Sequence, residues 1–310
     1  MVHSHVIRDI LARDLSELTV ERVEFEGQGW NHRVYRVNRD FIFKFPKDKD
    51  AESDLAAEIR ILAQISSALN IPVPQYMFVV EDSASYEYLY GGHRAIEGIP
   101  LTRDVLLSLQ PHSRHEIAEQ LAIFLSTLHG CQPVEELEGL IPVEDFRRGY
   151  TSLLGDVRTY IFPKISNDGC KILEYMFTSY LENSSNFASE LALLHGDLSA
   201  EHVFICLETQ RLSGVIDFGN VCFGDPDYDF WHLNDDYGED YLHRIRSHYD
   251  SHKNTRTGTE FREKLMFFQI ADTIDGILNY AYYMTKDELD GTWSRLKGFL
   301  KHERDQDHNR

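Results

Sequence analysis

The chain is short of positive charge. Its 310 residues hold 31 Lys and Arg against 51 Asp and Glu, a formal net charge of −20. Nucleic acids and anionic bilayers recruit Lys- and Arg-rich surfaces, so neither is expected as the main partner. A polycationic small molecule or a metal–nucleotide complex suits such a protein better. Cysteine is also scarce. Cys131, Cys170, Cys206 and Cys222 are scattered and form no CxxC pair, which excludes a disulfide framework and suggests a reducing compartment. Long apolar runs are missing too. Stretches such as LAIFL at 121–125 fall far short of the roughly 20 residues that span a bilayer. The opening MVHSHVIRDILARD mixes charges into its apolar positions, so no signal peptide is expected and the cytoplasm is the expected location. No HExxH is present, which leaves a zinc hydrolase without a foothold. What the chain does have is core material, 42% hydrophobic and 12% aromatic residues. At roughly 150 residues per domain, the length suggests two domains or one two-lobed domain.

The periodicity changes along the chain. Thr19 to Glu26 alternates as a strand does, and Gly27 and Gly29 are expected to break it. Arg33 to Asn38 reads as a second strand and Phe41 to Phe45 as a third, stopped by Pro46, which cannot donate to a ladder. From Glu52 to Leu69, apolar Leu55, Ile59, Leu62 and Ile65 recur at helical spacing. The run Ile71-Pro72-Val73-Pro74 ends that helix, and extended segments follow to about Ile96. Beyond Gly98 the pattern turns helical, over His115–His129, 145–183 and 259–301, with a strand–loop–strand region at 190–222 and a polar, frayed tail at 301–310. The expected architecture is α+β. A small N-terminal antiparallel-sheet lobe with one helix (1–97) precedes a larger, mainly helical C-terminal lobe (98–310).

The sharpest segment is LHGDLSAEHVFI at 194–205, followed by GVIDFG at 214–219. An Asp opening a tight loop, a polar ligand five residues on, and a strand ending in Asp-Phe-Gly make up the catalytic half of a kinase-like fold. Phosphoryl transfer needs a carboxylate to orient the attacking hydroxyl and accept its proton. It needs a second carboxylate to hold magnesium against the phosphates, and a further ligand to fix the metal. By order and spacing, Asp197, Asp217 and His202 fall in those roles. Each alone has an ordinary explanation, as a loop cap, a turn residue or a core histidine; the agreement of several spacings is what carries the reading. Lys44 sits in an otherwise apolar strand, where an unpaired ammonium is expensive. A phosphate-facing lysine paired with a helix carboxylate resolves that cost, and Glu58 is the natural partner.

The segments HGDLSAEHVF, GVIDFG and GDPDYDF together resemble the aminoglycoside phosphotransferase family, which has a two-lobed, protein-kinase-like fold and carries HGD where protein kinases carry HRD. Asn38-Arg39-Asp40 leading into FIFKFPK, with IPVP at 71–74, is similar to the 2''-aminoglycoside phosphotransferase subgroup. The resemblance spans most of residues 20–240. It implies ATP or GTP as phosphoryl donor with Mg2+, Asp197 as catalytic base, and His202 and Asp217 on the metal. It also implies nucleotide contacts from Lys44, Glu58, Ile216 and the hinge residues Arg94 and Ile96. His202 stands where most kinases carry Asn, a position at which 2''-aminoglycoside and macrolide phosphotransferases often have His.

From Gly224 to Asp240 seven of seventeen residues are acidic and none is Lys or Arg. In the family's fold this stretch lies beside the substrate cleft. Asp235, Asp236 and Glu239 are accordingly expected to contact an aminoglycoside's ammonium groups, and Asp225 and Asp229 to brace the loop through backbone hydrogen bonds. The competing readings are a kinase of another small alcohol such as a macrolide, whose site would be apolar with few anions, and a catalytically dead kinase-like binding module, which would be expected to lose Lys44, Asp197 or Asp217.

Overall fold

A computed structural model describes residues 4–29, 31–132, 139–188, 190–249, 258–280 and 284–307. It is a mixed α+β protein. Helix α1 (Ser4–Asp14) precedes strands β1 (Val23–Gln28), β2 (His32–Val37) and β3 (Phe41–Pro46), helix α2 (Lys49–Ile65), and strands β4 (Tyr76–Val80) and β5 (Tyr90–Arg94). The strands form one antiparallel sheet in the order β1-β2-β3-β5-β4.

Strand alternation places the first chemically important residue. Side chains at i and i+2 share a sheet face, and Phe43 and Phe45 are buried with Tyr35, Val37 and Tyr90 under Ile7, Ile10 and Leu11 of α1. Lys44 therefore faces the opposite side. That α1 supplies this cover was not read from the sequence.

Two strand limits differ from the sequence reading. Residues 19–22 are not in the sheet, because the Asn38 side chain satisfies their backbone, accepting from Glu21 N and Arg22 N and donating to Thr19 O. Gly27 does not end β1; the strand passes through it with a register shift between Phe25 and Gly27.

Helix α2 starts earlier than expected, at Lys49, since Asp48 caps it by accepting from Ala51 N. Its buried stripe contains one charged residue, fully covered Glu58, among Leu55, Ile61 and Leu62. Ala57, Ile61, Leu62 and Ile65, with Ile71 and Val73, join the large core formed by the second half of the chain.

That second half comprises β6 (Ile99–Pro100), α3 (Arg103–Ser108), α4 (Pro111–Gly130), α5 (Phe146–Asp156), α6 (Asn167–Glu182), β7 (Ala192–Leu194), β8 (Val203–Cys206), β9 (Arg211–Val215), β10 (Cys222–Gly224), α7 (Asp229–Tyr237), α8 (Glu239–Arg246), α9 (Gly258–Asp275) and α10 (Lys286–Asp307). Helix α4 begins at Pro111, which suits a first helical position, and it buries Ile117, Leu121, Phe124, Leu125 and Leu128 in the core. The span 145–183 is two helices rather than one. A π-helical turn at Val157–Ile161 and a short 3-10 turn containing Pro163 interrupt it, and Ser166 caps the restart. The span 259–301 likewise divides into α9, a π-helical turn at Gly276–Tyr280, and α10; residues 281–283 lie outside the described residues. The tail expected to fray is helical to Asp307, and 308–310 lie outside the described residues. Among the described residues no helix is long and apolar enough to cross a membrane.

Candidate active site

The loop between β7 and β8 carries His195 to His202, and the turn after β9 carries Ile216 to Gly219. Backbone bonds join them: Ile216 N donates to His202 O at 2.9 Å, and His195 Nε2 donates to Ile216 O at 3.0 Å. Burial holds His195 neutral, lowering it to about 4. Gly196 has φ +80, and a Cβ there would lie 2.2 Å from Asn220 O, so only glycine fits. Asp217 is itself left-handed at φ 66, a conformation that costs about 1 kcal/mol for a non-glycine residue.

Lys44 meets this turn from the N-terminal sheet. Its Nζ donates to Glu58 Oε1 at 3.0 Å, to Glu58 Oε2 at 2.8 Å and to Asp217 Oδ1 at 2.9 Å. All three ammonium protons are thereby used. Tyr76 OH donates to Glu58 Oε1 at 2.9 Å. Burial opposes the charge on Lys44, but Asp217 and Glu58 outweigh it and hold the group well above the usual lysine range. Lys44 in turn pulls Asp217 far below the usual carboxylate range.

His202 bridges the two aspartates. Its Nδ1 donates to the Asp197 carbonyl at 2.7 Å, and its Nε2 lies 3.7 Å from Asp217 Oδ2. With Nδ1 donating to that carbonyl, Nε2 is the ring nitrogen on the Asp217 side. Burial raises Asp197 to about 6, with the neighbouring His202 opposing the rise.

Helix α7 grips the loop along one face. Asp229 accepts from His195 N at 2.8 Å and from Gly196 N at 2.9 Å. It also accepts from buried His129 Nε2 at 3.0 Å, whose Nδ1 lies 2.7 Å from Tyr249 OH. Asp236 accepts from Ala200 N at 2.6 Å. Between them His232 Nε2 lies 3.2 Å from Asp197 Oδ1. Asp225 accepts from Ala188 N and Asp227 N and is paired with buried Lys264.

A cavity of about 640 Å3 opens against Asp197. Its carboxylates are Asp54, Glu144, Asp197, Asp272 and Asp275, and Phe146, Tyr228 and His232 supply ring surface. Asp272 keeps contact with solvent, yet protein surrounds it in the cleft; that crowding, then Asp197, raises it to about 7. Asp235, Asp236 and Glu239 do not line this cavity. Asp235 meets Gln269 and Arg295, and Glu239 meets Arg262 and His243. Asp54, Glu144, Asp272 and Asp275 were not singled out from the sequence. The one signal was the Asp272/Asp275 spacing, which puts both on one helix face. Arg94 and Ile96 line a separate cavity of about 260 Å3 with Arg36, Arg39 and Phe204, and Ile216 immediately precedes Asp217.

Comparison with known proteins agrees with this geometry. The model of the phosphotransferase enzyme family matches residues 22–262. The chain is 30% identical over 245 residues to viomycin phosphotransferase of Streptomyces vinaceus, covering 77% of this chain and 81% of that one. It has 25% identity and a TM-score of 0.86 to the solved GDP and kanamycin complex of APH(2")-IIia, covering 96% of this chain and 98% of that one. A macrolide 2'-phosphotransferase type I shares the fold at TM-score 0.70 and 19% identity, covering 94% and 95%.

Proposed function

Because the chain belongs to the phosphotransferase enzyme family, we propose that it moves the γ-phosphoryl group of ATP or GTP to a hydroxyl of an aminoglycoside antibiotic and so confers resistance. The observation that carries this reading is the convergence of Lys44, Asp217, His202 and Asp197 beside a carboxylate-lined cavity. Clustered carboxylates attract ammonium groups and bind them through charge-assisted hydrogen bonds. The five carboxylates lining that cavity favour an ammonium-bearing acceptor over a macrolide, and a dead binding module would not need Lys44, Asp197 and Asp217 assembled together. The relative bound to GDP and kanamycin supports both the nucleotide and the acceptor class. The relative named for viomycin makes viomycin the second acceptor to test.

In this reading residues 1–97 form the nucleotide lobe and 98–310 the catalytic and acceptor lobe, and the reaction runs in the cytoplasm. The purine base lies against the backbone of Arg94 to Ile96, with Ile216 close to the phosphates. Lys44, held by Glu58, takes the phosphates in exchange for Asp217. Among the described residues no three or more His, Cys, Asp or Glu side chains form a metal cage unaided. That suits Mg2+, which is commonly held by one or two carboxylates together with substrate phosphates. Asp217 Oδ2, left free by Lys44, and His202 Nε2 are the donors that would hold it. When bound it neutralises phosphate charge. Asp197 accepts the acceptor hydroxyl's proton as that oxygen bonds to the γ-phosphorus; the bond to the bridging oxygen breaks and the nucleoside diphosphate leaves. Asp235, Asp236 and Glu239 remain candidates for outer contacts with the acceptor, and Asp272, Asp275 and Glu144 for inner ones.

The test is nucleotide consumption with kanamycin, viomycin and a macrolide as acceptors, each with ATP and with GTP. Turnover dependent on kanamycin or viomycin is expected. Turnover with the macrolide alone, or with none, would overturn the assignment.

A further inference from the structure

Helix α7 presents Asp229, His232 and Asp236 at spacings of three and four, so all lie on one face. The outer two grip backbone, at residues 195–196 and at Ala200. The middle one meets the catalytic side chain itself, with His232 Nε2 3.2 Å from Asp197 Oδ1. Among the described residues the ionic neighbour of Asp197 Oδ2 is the more distant His202 Nδ1 at 3.7 Å, and that nitrogen is committed to the Asp197 carbonyl at 2.7 Å. The two carboxylate oxygens are therefore unequal.

We propose that His232 is a positioning residue for Asp197: its Nε2–H holds Oδ1 and so turns Oδ2 toward the acceptor hydroxyl.

Three further features support this. His232 lines the acceptor cavity, so the contact is made where the hydroxyl must arrive. Its ring lies against that of Trp231, tilted by 31° with centroids 3.5 Å apart, which limits its rotation. Burial, then the nearby His202, lowers it to about 3, so the ring is neutral and carries one proton. A carboxylate only accepts, so the proposed hold on Oδ1 requires that proton on Nε2. His232 transfers no proton in the reaction; it fixes which oxygen receives one. A carboxylate free to rotate would lose reactive geometry, and misplacement by about 1 Å can cost on the order of a hundredfold in rate.

The inference rests on the phosphotransfer reading, and two measurements separate them. In steady-state kinetics, His232→Leu should lower kcat by roughly tenfold to a hundredfold while the nucleotide KM stays unchanged. His232→Gln places an amide N–H near the Nε2 position and should recover most of the loss. A His232→Leu protein that keeps full kcat, or a folded His232→Gln protein as impaired as His232→Leu, would overturn the proposal. Independently of turnover, 15N NMR of histidine-labelled protein should find His232 as the Nε2–H tautomer, with a resonance that moves in Asp197→Ala. An Nδ1–H tautomer, or a resonance indifferent to Asp197→Ala, would refute the contact even if the enzyme is active. Should wild-type protein phosphorylate no acceptor, the functional reading fails and the NMR result still decides the contact.

Discussion

Lys44 Nζ lies 2.9 Å from Asp217 Oδ1, a contact between residues 173 positions apart that joins the N-terminal sheet to the turn after β9. The lysine neutralises the carboxylate proposed to face magnesium, and fully buried Glu58 fixes it from the other side. On the proposed function, nucleotide replaces an existing ion pair rather than entering an idle site.

Removing the lysine tests that arrangement. Lys44→Met leaves Glu58 buried with only the Tyr76 hydroxyl as partner among these groups. Losing one member of a buried ion pair costs about 3 kcal/mol or more. Urea denaturation should show a loss of that order, and nucleotide turnover should fall sharply. Unchanged stability would mean that Glu58 finds another partner.

The loop at 195–202 depends on one carboxylate. Asp229 accepts from His195 N, Gly196 N and His129 Nε2, and Asp229→Ala orphans all three donors, two of them buried. At roughly 1–3 kcal/mol for each unsatisfied group, thermal denaturation should show a severely destabilised protein. A fall in Tm no larger than for an ordinary surface substitution would contradict the role.

These contacts also mark the limit of what the sequence made legible. HGDLSAEH, VIDFG and FIFKF are local patterns, so the loop at 195–202, the turn at 216–219 and the place of Lys44 could be read directly. His129 meets Asp229 across 100 positions, and a histidine in the apolar stripe of α4 carries no sign of that. Asp272 and Asp275 lie in a segment whose pattern predicts only a helix; their place in the cavity follows from how α9 packs against α7. The acid-rich 224–240 run drew attention because it is dense, yet several of its carboxylates hold backbone or other side chains. Likewise Asn38 replaces ladder bonds at 19–22 through a turn that periodicity does not register.

The pH dependence of turnover should follow Asp197. Burial raises it to about 6, and a general base works only when deprotonated. Activity should be full above that pH and fall as pH drops through it. Measured kcat/KM should show an acidic limb near pH 6, while stability should not fall as the pH drops through that value, because protonation relieves the penalty on a raised carboxyl. A limb near pH 4 would contradict a raised Asp197 as the general base.

Asp272 is expected to trade stability for acceptor binding. Crowding raises it to about 7, above its ordinary 3.8. Its ionised form is therefore disfavoured in the folded protein, by a penalty that is absent below the ordinary value and grows with pH until about 7. Asp272→Asn should raise Tm more at pH 8 than at pH 5 and raise the acceptor KM. A lower Tm at pH 8 would contradict this.

The most direct measurement is mass spectrometry of kanamycin and viomycin after incubation with the protein, Mg2+ and either nucleotide. Wild-type protein should add a single phosphoryl group to at least one of them, and Asp197→Ala should add none while still binding nucleotide. An unmodified acceptor with the wild-type protein, or a phosphorylated one with Asp197→Ala, would contradict the account.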